Sequence, residues 1–254
     1  MKVTILGSGS FIESLDHFGP GYLLEVDDKK ILIDAGSGIT LQLLKKRIRT
    51  SDLDYIFVTH LHADHTLELV QLMMTYYIPV RHRGVEKSKT VRIIGPKGIK
   101  KFIDNLLTIH NHEKAIDFEG FEIGEFDSKM EFDSFNVTPF PIEHLGLDAN
   151  SYRFEHDGKS VAFTGDASDC QGVRDLAKNV DLLICDSSNS KERKPDKVHL
   201  NTQEIADIAT EGNVKKVILS HLLPDGFGKD LVSEVKETFS GEVILANDLM
   251  EIKL

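Results

Sequence analysis

The chain has 254 residues, of which 30 are Lys or Arg and 41 are Asp or Glu, so its formal net charge is −11 at pH 7. With 41% hydrophobic and 28% charged residues, the composition is that of a folded protein with a sizeable core, and it excludes disordered, collagen-like and disulfide-scaffold chains. The acidic balance also argues against general electrostatic capture of nucleic acid or of an anionic membrane, because both need a basic face.

The cysteines and the start of the sequence bear on the compartment. The sequence contains two cysteines, Cys170 and Cys185, and we expect both to be reduced and Cys185 to be buried in an apolar strand. Too few apolar residues precede Gly7 for a secretory signal peptide, and no run approaches the roughly 18 apolar residues of a membrane-spanning helix. We therefore expect a cytoplasmic protein that does not enter a membrane.

Short β-branched runs, each followed by Gly or a polar residue, recur along the chain and predict buried strands. In chain order they cover residues 3–6, 31–33, 55–58, 91–94, 161–163, 182–185, 217–219 and 243–245. Apolar residues at helical spacing predict helices over 66–77, 97–107 and 202–210, the last with Asn201 or Thr202 as its N-cap. Since no Pro- or Ser-rich linker divides the sequence, we expect one α/β domain, residues 1–254, with mixed β-sheets.

Three His and one Asp fall within six residues in the run His60-Leu61-His62-Ala63-Asp64-His65, between a predicted strand and a predicted helix. On such a loop His60 and His62 can converge on one cation, while Asp64 and His65 turn towards a second. Imidazole and carboxylate ligands suit a borderline divalent ion, most simply zinc. The run therefore predicts a metal site.

This run resembles the HxHxDH signature of the metallo-β-lactamase superfamily, which it matches at every fixed position. The resemblance extends over roughly residues 3–248 and implies a four-layer αββα sandwich, in which two mixed β-sheets lie between layers of helices. It also implies a dinuclear metal site at one edge of the sheets. Zinc is the simplest identity for both ions, with manganese and iron as alternatives.

The ligands that the resemblance implies come from several parts of the chain. They are His60, His62 and His144 for the first ion, Asp64, His65 and His221 for the second, and Asp166 as a bridge between the two. Asp34 matches an early Asp of the family that supports the site from behind the ligands. Two such cations hold a hydroxide nucleophile at neutral pH and neutralise charge on substrate oxygens.

A further histidine, His199, precedes a predicted helix and lies 22 residues before His221. The run from residue 198 to 206 resembles the HxT motif of the ribonuclease Z-like and related phosphodiesterase branch, whose His contacts the scissile phosphate or protonates the leaving oxygen. A phosphodiester reaction needs such a group in addition to the metals. Asp186, at the end of a predicted strand, could orient His199. We therefore take His199, Asp186 and Asp64 as candidate catalytic residues, and we expect no such role for the His at 17, 82, 110, 112 and 156.

One departure from that branch concerns the substrate. Ribonuclease Z enzymes that process transfer RNA carry a protruding basic arm, in many cases between the third metal His and the bridging Asp. Here His144 and Asp166 are 22 positions apart, which leaves room for little more than a β-hairpin. A basic run at residues 191–197, just before His199, could meet a phosphate or simply form a solvated loop.

We therefore predict a metal-dependent hydrolase that cleaves a small phosphodiester, or a short single-stranded nucleic acid, by attack of a metal-bound hydroxide. Three alternatives remain open: transfer-RNA 3′-end processing by a ribonuclease Z, a lactonase or thioesterase activity of the same superfamily, and a non-catalytic binding protein. The sequence also leaves the oligomeric state open, with a homodimer as one outcome.

Overall fold

Two seven-stranded β-sheets form the centre of the fold. The fold is described from a computed structural model of the protein, which covers residues 1–12, 14–115, 118–125, 128–226 and 228–254. In the first sheet the strand order is β14-β1-β2-β3-β4-β5-β6, where the strands are β1 (Lys2–Gly7), β2 (Gly21–Val26), β3 (Lys29–Ile33), β4 (Tyr55–Phe57), β5 (Val91–Gly95), β6 (Phe121–Glu125) and β14 (Glu251–Lys253).

The second sheet repeats the plan of the first. Its order is β13-β12-β11-β10-β9-β8-β7, where the strands are β7 (Met130–Glu131), β8 (Asn136–His144), β9 (Leu147–His156), β10 (Lys159–Phe163), β11 (Leu182–Asp186), β12 (Lys216–Ser220) and β13 (Glu242–Leu245). Each sheet has an antiparallel half and a parallel half, the parallel strands being β3 to β6 and β10 to β13. Parallel strands are buried on both faces and read as continuous apolar runs. All eight predicted strands are confirmed.

Helices cover the outer face of each sheet. They are α1 (Ile39–Lys45), α2 (Ala63–Thr66), α3 (Leu69–Arg83), α4 (Ile99–Ile109), α5 (Gln171–Leu176), α6 (Thr202–Glu211) and α7 (Leu231–Lys236). One core lies between α1, α3, α4 and the first sheet, a second between α5, α6, α7 and the second sheet, and a third between the two sheets. The prediction of an αββα sandwich is confirmed, because each sheet buries one face on helices and the other on its partner sheet.

The predicted helix over residues 66–77 is wrong at its start, because the chain forms two helices that are separated at Leu67 and Glu68. The Glu68 carboxylate accepts hydrogen bonds from the amides of Gly38 and Thr40, both at 2.6 Å, and so caps the N-terminus of α1. Leu67, which the helical spacing places on the apolar face, is 63% exposed. The break between the two helices therefore allows Glu68, at the start of α3, to bind the N-terminus of α1, a contact that no local sequence pattern reveals.

Two further helix predictions are close to the structure. The helix predicted over 97–107 begins and ends two residues later, as α4, because Gly98 takes a left-handed conformation at the N-cap. For α6, Asn201 is the N-cap, and its side chain accepts a hydrogen bond from the amide of Glu204. The Glu204 carboxylate in turn accepts a hydrogen bond from the amide of Asn201, which completes a capping box.

The ends of four strands lie together at one edge of the sandwich. Asp34 directly follows β3, and His60 comes three residues after β4. In the second sheet Asp166 comes three residues after β10, and His221 directly follows β12. Since ligands of α/β sheets bind beyond the carboxyl ends of the strands, this edge is where a site is expected.

The loops at this edge are conformationally demanding. Asp34 and His221 have φ of +59° and +56°, a left-handed conformation that is uncommon outside Gly and clusters at functional sites. Gly165 has φ of +62°, and a Cβ there would lie 2.9 Å from the Cβ of Thr59. Glycine is therefore required where the β10 loop passes the β4 loop.

The cysteines and the helices bear on what the sequence predicts about disulfides and membrane spans. Both cysteines are free, and Cys185 is buried in β11, as predicted. Within the described ranges, no helix has the length and apolar character needed to span a bilayer.

Candidate metal centre

Three imidazoles and one carboxylate form a first group of converging ligand atoms. His62 Nδ1 lies 3.0 Å from His60 Nε2 and 3.1 Å from His144 Nε2. Asp166 Oδ2 lies 3.8 Å from the same two Nε2 atoms. The structure thus brings together, from β4, β8 and β10, the four residues that the sequence proposes for the first ion.

A second group shares Asp166 with the first. Asp166 Oδ1 lies 2.9 Å from His65 Nε2 and 3.0 Å from His221 Nε2. Asp64 Oδ2 lies 3.7 Å from His65 Nε2 and 3.4 Å from His221 Nε2. All four side chains are buried, and Asp166 faces both groups with different oxygens.

Two observations test whether these residues fit divalent cations. His65 Nε2 and Asp166 Oδ1 are buried and lie 2.9 Å apart, yet in the described part of the chain neither makes a hydrogen bond of acceptable geometry, which would cost about 1–3 kcal/mol each if nothing satisfied them. Tetrahedral zinc with ligand bonds of 2.0–2.2 Å keeps its ligand atoms about 3.4 Å apart, and the separations above lie on either side of that value. The two groups therefore fit divalent metal ions.

Asp34 holds one of these imidazoles from behind. It is fully buried, and its Oδ2 lies 2.8 Å from His65 Nδ1. The same carboxylate accepts hydrogen bonds from the amide of Thr59 at 2.8 Å and from the Thr59 hydroxyl at 2.9 Å. A carboxylate on the far nitrogen fixes the tautomer of a metal-binding His and leaves Nε2 as the ligand, which is the arrangement that the sequence proposes for Asp34.

Three other imidazoles, those of His60, His144 and His221, are fixed in a similar way by partners that the sequence analysis missed. His60 Nδ1 bonds to the Thr59 hydroxyl at 3.1 Å, and His144 Nδ1 donates to the carbonyl of Val198 at 3.1 Å. His221 Nδ1 lies 2.9 Å from the hydroxyl of Ser188. Hydroxyls and backbone carbonyls occur throughout the chain, so no spacing rule could have selected these.

The electrostatics of the two groups differ. Burial lowers the pKa values of His60 and His144 below the ordinary value, so these imidazoles are neutral and offer a lone pair. Burial alone would also lower the pKa of His65 and of His221, but the surrounding carboxylates together outweigh burial, Asp166 most strongly. They raise the pKa of His65 well above its usual range and that of His221 to about 10. The carboxylates of the second group therefore attract positive charge, and a metal ion entering there would displace protons.

His199 and Asp186 form a hydrogen-bonded pair beside these groups. Asp186 Oδ2 lies 2.8 Å from His199 Nδ1, and the His199 ring centroid is 5.5 Å from that of His144 and 5.4 Å from that of His221. Burial alone would lower the pKa of His199, but the Asp186 carboxylate outweighs it and raises that pKa. Asp186, His199 and His221 are also close enough to be a third candidate ligand group, although Nδ1 of His199 and Oδ2 of Asp186 already bind each other.

These residues surround one cavity of about 410 Å³. Its lining includes most of the proposed metal ligands and His199, together with four residues that the sequence analysis did not single out: Ser10, Phe11, Leu145 and Leu223. None of the His at positions 17, 82, 110, 112 and 156 lines it. Of these, His17 instead bonds to the hydroxyl of Ser8 and His156 to the carbonyl of Ser134.

Residues 29–222 match the family model described as the beta-lactamase superfamily domain. The chain belongs to the beta-lactamase superfamily. It is 25% identical over its whole length to a ribonuclease Z of Archaeoglobus fulgidus, of which the alignment covers 97%.

Solved structures of the superfamily share the fold over the whole chain. The metallo-beta-lactamase fold protein YhfI from Bacillus subtilis superposes with a TM-score of 0.82 at 24% identity, covering 99% of this chain and 98% of that one. The short form of human tRNase Z superposes with a TM-score of 0.78 at 22% identity, covering 100% and 99%. The resemblance to this superfamily and the expectation of a metal-dependent hydrolase are confirmed.

Proposed function

We propose that this beta-lactamase superfamily hydrolase is a phosphodiesterase that cleaves a small or single-stranded phosphodiester. The observation that carries the proposal is the pair of His199 and Asp186, of which His199 lines the same cavity as both ligand groups. Cleavage of a phosphodiester with a poor leaving group needs a donor for the leaving oxygen as well as an activated water.

The ligand groups have defined roles in this proposal. His60, His62 and His144 would hold one divalent ion, and Asp64, His65 and His221 the other, with Asp166 between them. When bound, such ions lower the pKa of water and offset the negative charge of phosphate oxygens. Zinc suits these imidazole and carboxylate ligands best, with manganese and iron as alternatives.

His199 would act on the leaving group. Its Nδ1 is engaged with Asp186, which leaves Nε2 to donate a proton or a hydrogen bond at the cavity. Asp186 is itself held in place, because it accepts hydrogen bonds from the amide of Ser188 at 3.0 Å and from the amide of Ala167 at 3.2 Å. Fixed donors of this kind stabilise charge that develops in the transition state.

Transfer-RNA 3′-end processing is the second candidate, favoured by the ribonuclease Z and tRNase Z names of the relatives. The chain between His144 and Asp166 supports the smaller substrate instead. It consists of β9 and β10 and their tight turns, since β9 begins three residues after His144 and β10 begins three residues after β9 ends. No arm protrudes from this segment to grip a folded RNA.

The test is hydrolysis of diphenyl phosphate, a diester whose poor phenolate leaving group needs a proton, by the zinc-loaded protein, alongside bis(p-nitrophenyl) phosphate, an acyl-homoserine lactone and a precursor transfer RNA. We expect turnover of both diesters, and we expect His199→Ala to retain its zinc while turnover of diphenyl phosphate falls by about 10²-fold or more. His110→Ala, which alters an exposed His outside the cavity, is the matched control. Equal turnover by His199→Ala and the parent would refute the role of His199. Hydrolysis of the lactone but of no diester would refute the proposed function and indicate a lactonase instead.

A further inference from the structure

The mouth of the active-site cavity is bordered by apolar side chains from three loops. Phe11, from the loop after β1, is 67% exposed, and Leu145, from the turn between β8 and β9, is 61% exposed. Leu223, two residues after His221, completes the set. We call Phe11, Leu145 and Leu223 the apolar rim. Large apolar side chains this exposed and grouped around a cavity are typical of a ligand-binding surface.

Cations are missing from the same cavity. Among its described lining residues there is no Lys or Arg. In the basic run that precedes His199, Lys191 pairs with Glu237 and Arg193 lies 3.5 Å from Asp196. Lys194 and Lys197 are exposed and do not line the cavity. Apart from metal ions and His199, the lining of this cavity therefore offers no cation to a second phosphate of a nucleic-acid chain, and contacts between cations and phosphates dominate affinity for such chains.

The turn that carries Leu145 is unfavourable for leucine. Leu145 and Gly146 have φ of +48° and +74°, and they form the two-residue connection between the paired residues His144 and Leu147. A turn with two positive φ values favours Asn, Asp or Gly at its first position. A bulky side chain at such a position is a conformational outlier of the kind that accompanies function, and here it borders the cavity.

The loop that carries Phe11 is anchored at both ends. Asp248 Oδ1 accepts hydrogen bonds from the amide and hydroxyl of Ser8 at 2.9 and 2.7 Å, and Oδ2 accepts one from the amide of Phe18 at 2.9 Å. The carbonyl of Ser8 accepts a bond from the amide of Leu222, next to His221, at 2.9 Å. The loop is thus tied to the segment that carries a proposed ligand, and this tie places Phe11 at the mouth.

We propose that the apolar rim is a subsite for one aromatic substituent of the substrate, so that the protein acts on a phosphodiester with a single phosphate group and an aromatic ring close to it. This inference rests on the proposed function and narrows its substrate class. The phosphate would lie at the ligand groups, and the ring would lie against Phe11, Leu145 and Leu223. Stacking of a base-sized ring on an aromatic side chain raises the affinity by roughly one to two orders of magnitude over binding without that side chain.

The test compares two phosphonate monoesters by calorimetry with the zinc-loaded protein. Methyl methylphosphonate and methyl phenylphosphonate are both monoanions at neutral pH, share one poor leaving group, and differ only in the methyl or phenyl substituent. We expect the phenyl compound to bind about tenfold more tightly to the parent protein, and this preference to fall to about twofold or less in Phe11→Ala. Leu15→Ala is the matched control, because Leu15 lies on the same loop and is 99% exposed but does not line the cavity.

The outcomes separate this inference from the proposed function. Equal binding of the two compounds by the parent, or an unchanged preference in Phe11→Ala, overturns the subsite. Loss of the preference in Leu15→Ala as well as in Phe11→Ala also overturns it, because the effect would then belong to the whole loop. Hydrolysis of bis(p-nitrophenyl) phosphate in the same preparation stands as an independent readout, so a protein that cleaves the diester without the preference refutes the subsite alone.

Discussion

Replacement of Asp186 by Asn isolates the contribution of one buried carboxylate to the proposed chemistry. Asn keeps the size of the side chain and can still accept a hydrogen bond from His199 Nδ1, which lies 2.8 Å from Oδ2. It removes the negative charge that stabilises a protonated His199. Asp186 belongs to neither of the two ligand groups proposed for the metals, so we expect the zinc content to stay unchanged.

The magnitude follows from the type of interaction that is lost. A hydrogen bond to a charged group contributes about 1.5–3 kcal/mol, which corresponds to roughly a 10- to 100-fold loss of kcat/KM if it acts in the transition state. The variant should also respond differently to pH. A general acid must be protonated, so activity is present below the pKa of His199 and is lost as pH rises through it. Because Asp186 raises that pKa, the alkaline limb should move to lower pH in Asp186→Asn.

The assay is kcat/KM as a function of pH for diphenyl phosphate, whose poor phenolate leaving group needs a proton, with zinc content measured on the same samples. Asp181→Asn is the control, because Asp181 lies just before the same strand, β11, at its opposite end. It contacts Ser160 and Lys215 there, away from the cavity, and its loss should leave the profile unchanged. Full activity with an unshifted alkaline limb in Asp186→Asn would refute the reasoning.

Three further predictions concern metal binding and stability. His62→Ala removes the imidazole that lies between two others, so zinc content measured by atomic emission should fall, and two fully occupied sites would show that the ligand assignment is wrong. Glu68→Ala removes the cap of α1 and should lower the free energy of unfolding by about 1–2 kcal/mol, seen as a lower urea midpoint; an unchanged midpoint would mean that the cap contributes nothing. Phe163→Ala opens a cavity between the sheets, where its ring packs 5.4 Å from that of Tyr22 and 5.8 Å from that of Phe154. We expect a loss of about 3–5 kcal/mol, and a loss below 1 kcal/mol would contradict the tight packing of this layer.

The strands that the sequence analysis missed show what a local pattern cannot reveal. β8 contains Pro139 and Pro141, which argue against a strand because proline cannot donate to the ladder. The structure accommodates both, because β7 pairs only with residues 136 and 137 of β8. From Thr138 onwards one side of β8 therefore has no neighbouring strand among the described residues. Whether a proline falls on a free edge depends on the length of the neighbouring strand, which is a property of the sheet.

The sequence by itself determined the parts whose geometry is local. Apolar runs predict the buried strands because a strand covered on both faces must be apolar throughout. The run from His60 to His65 indicates a metal site because a few loop residues suffice to bring these side chains together. Family resemblance added distant residues such as His144 and Asp166 to the predicted metal site. It gave their identity and position in the sequence but not their geometry.

Only the tertiary structure decided which distant groups meet and in what orientation. Asp34, Asp186 and His221 reach one site because the carboxyl ends of strands in both sheets lie at the same edge of the sandwich. Long-range packing also sets which nitrogen of His65 and of His144 faces the ligand groups, through Asp34 and the carbonyl of Val198. No sequence spacing predicts the apolar rim, because Phe11 and Leu145 are 134 positions apart in the sequence. They border the same cavity only because the two sheets pack together.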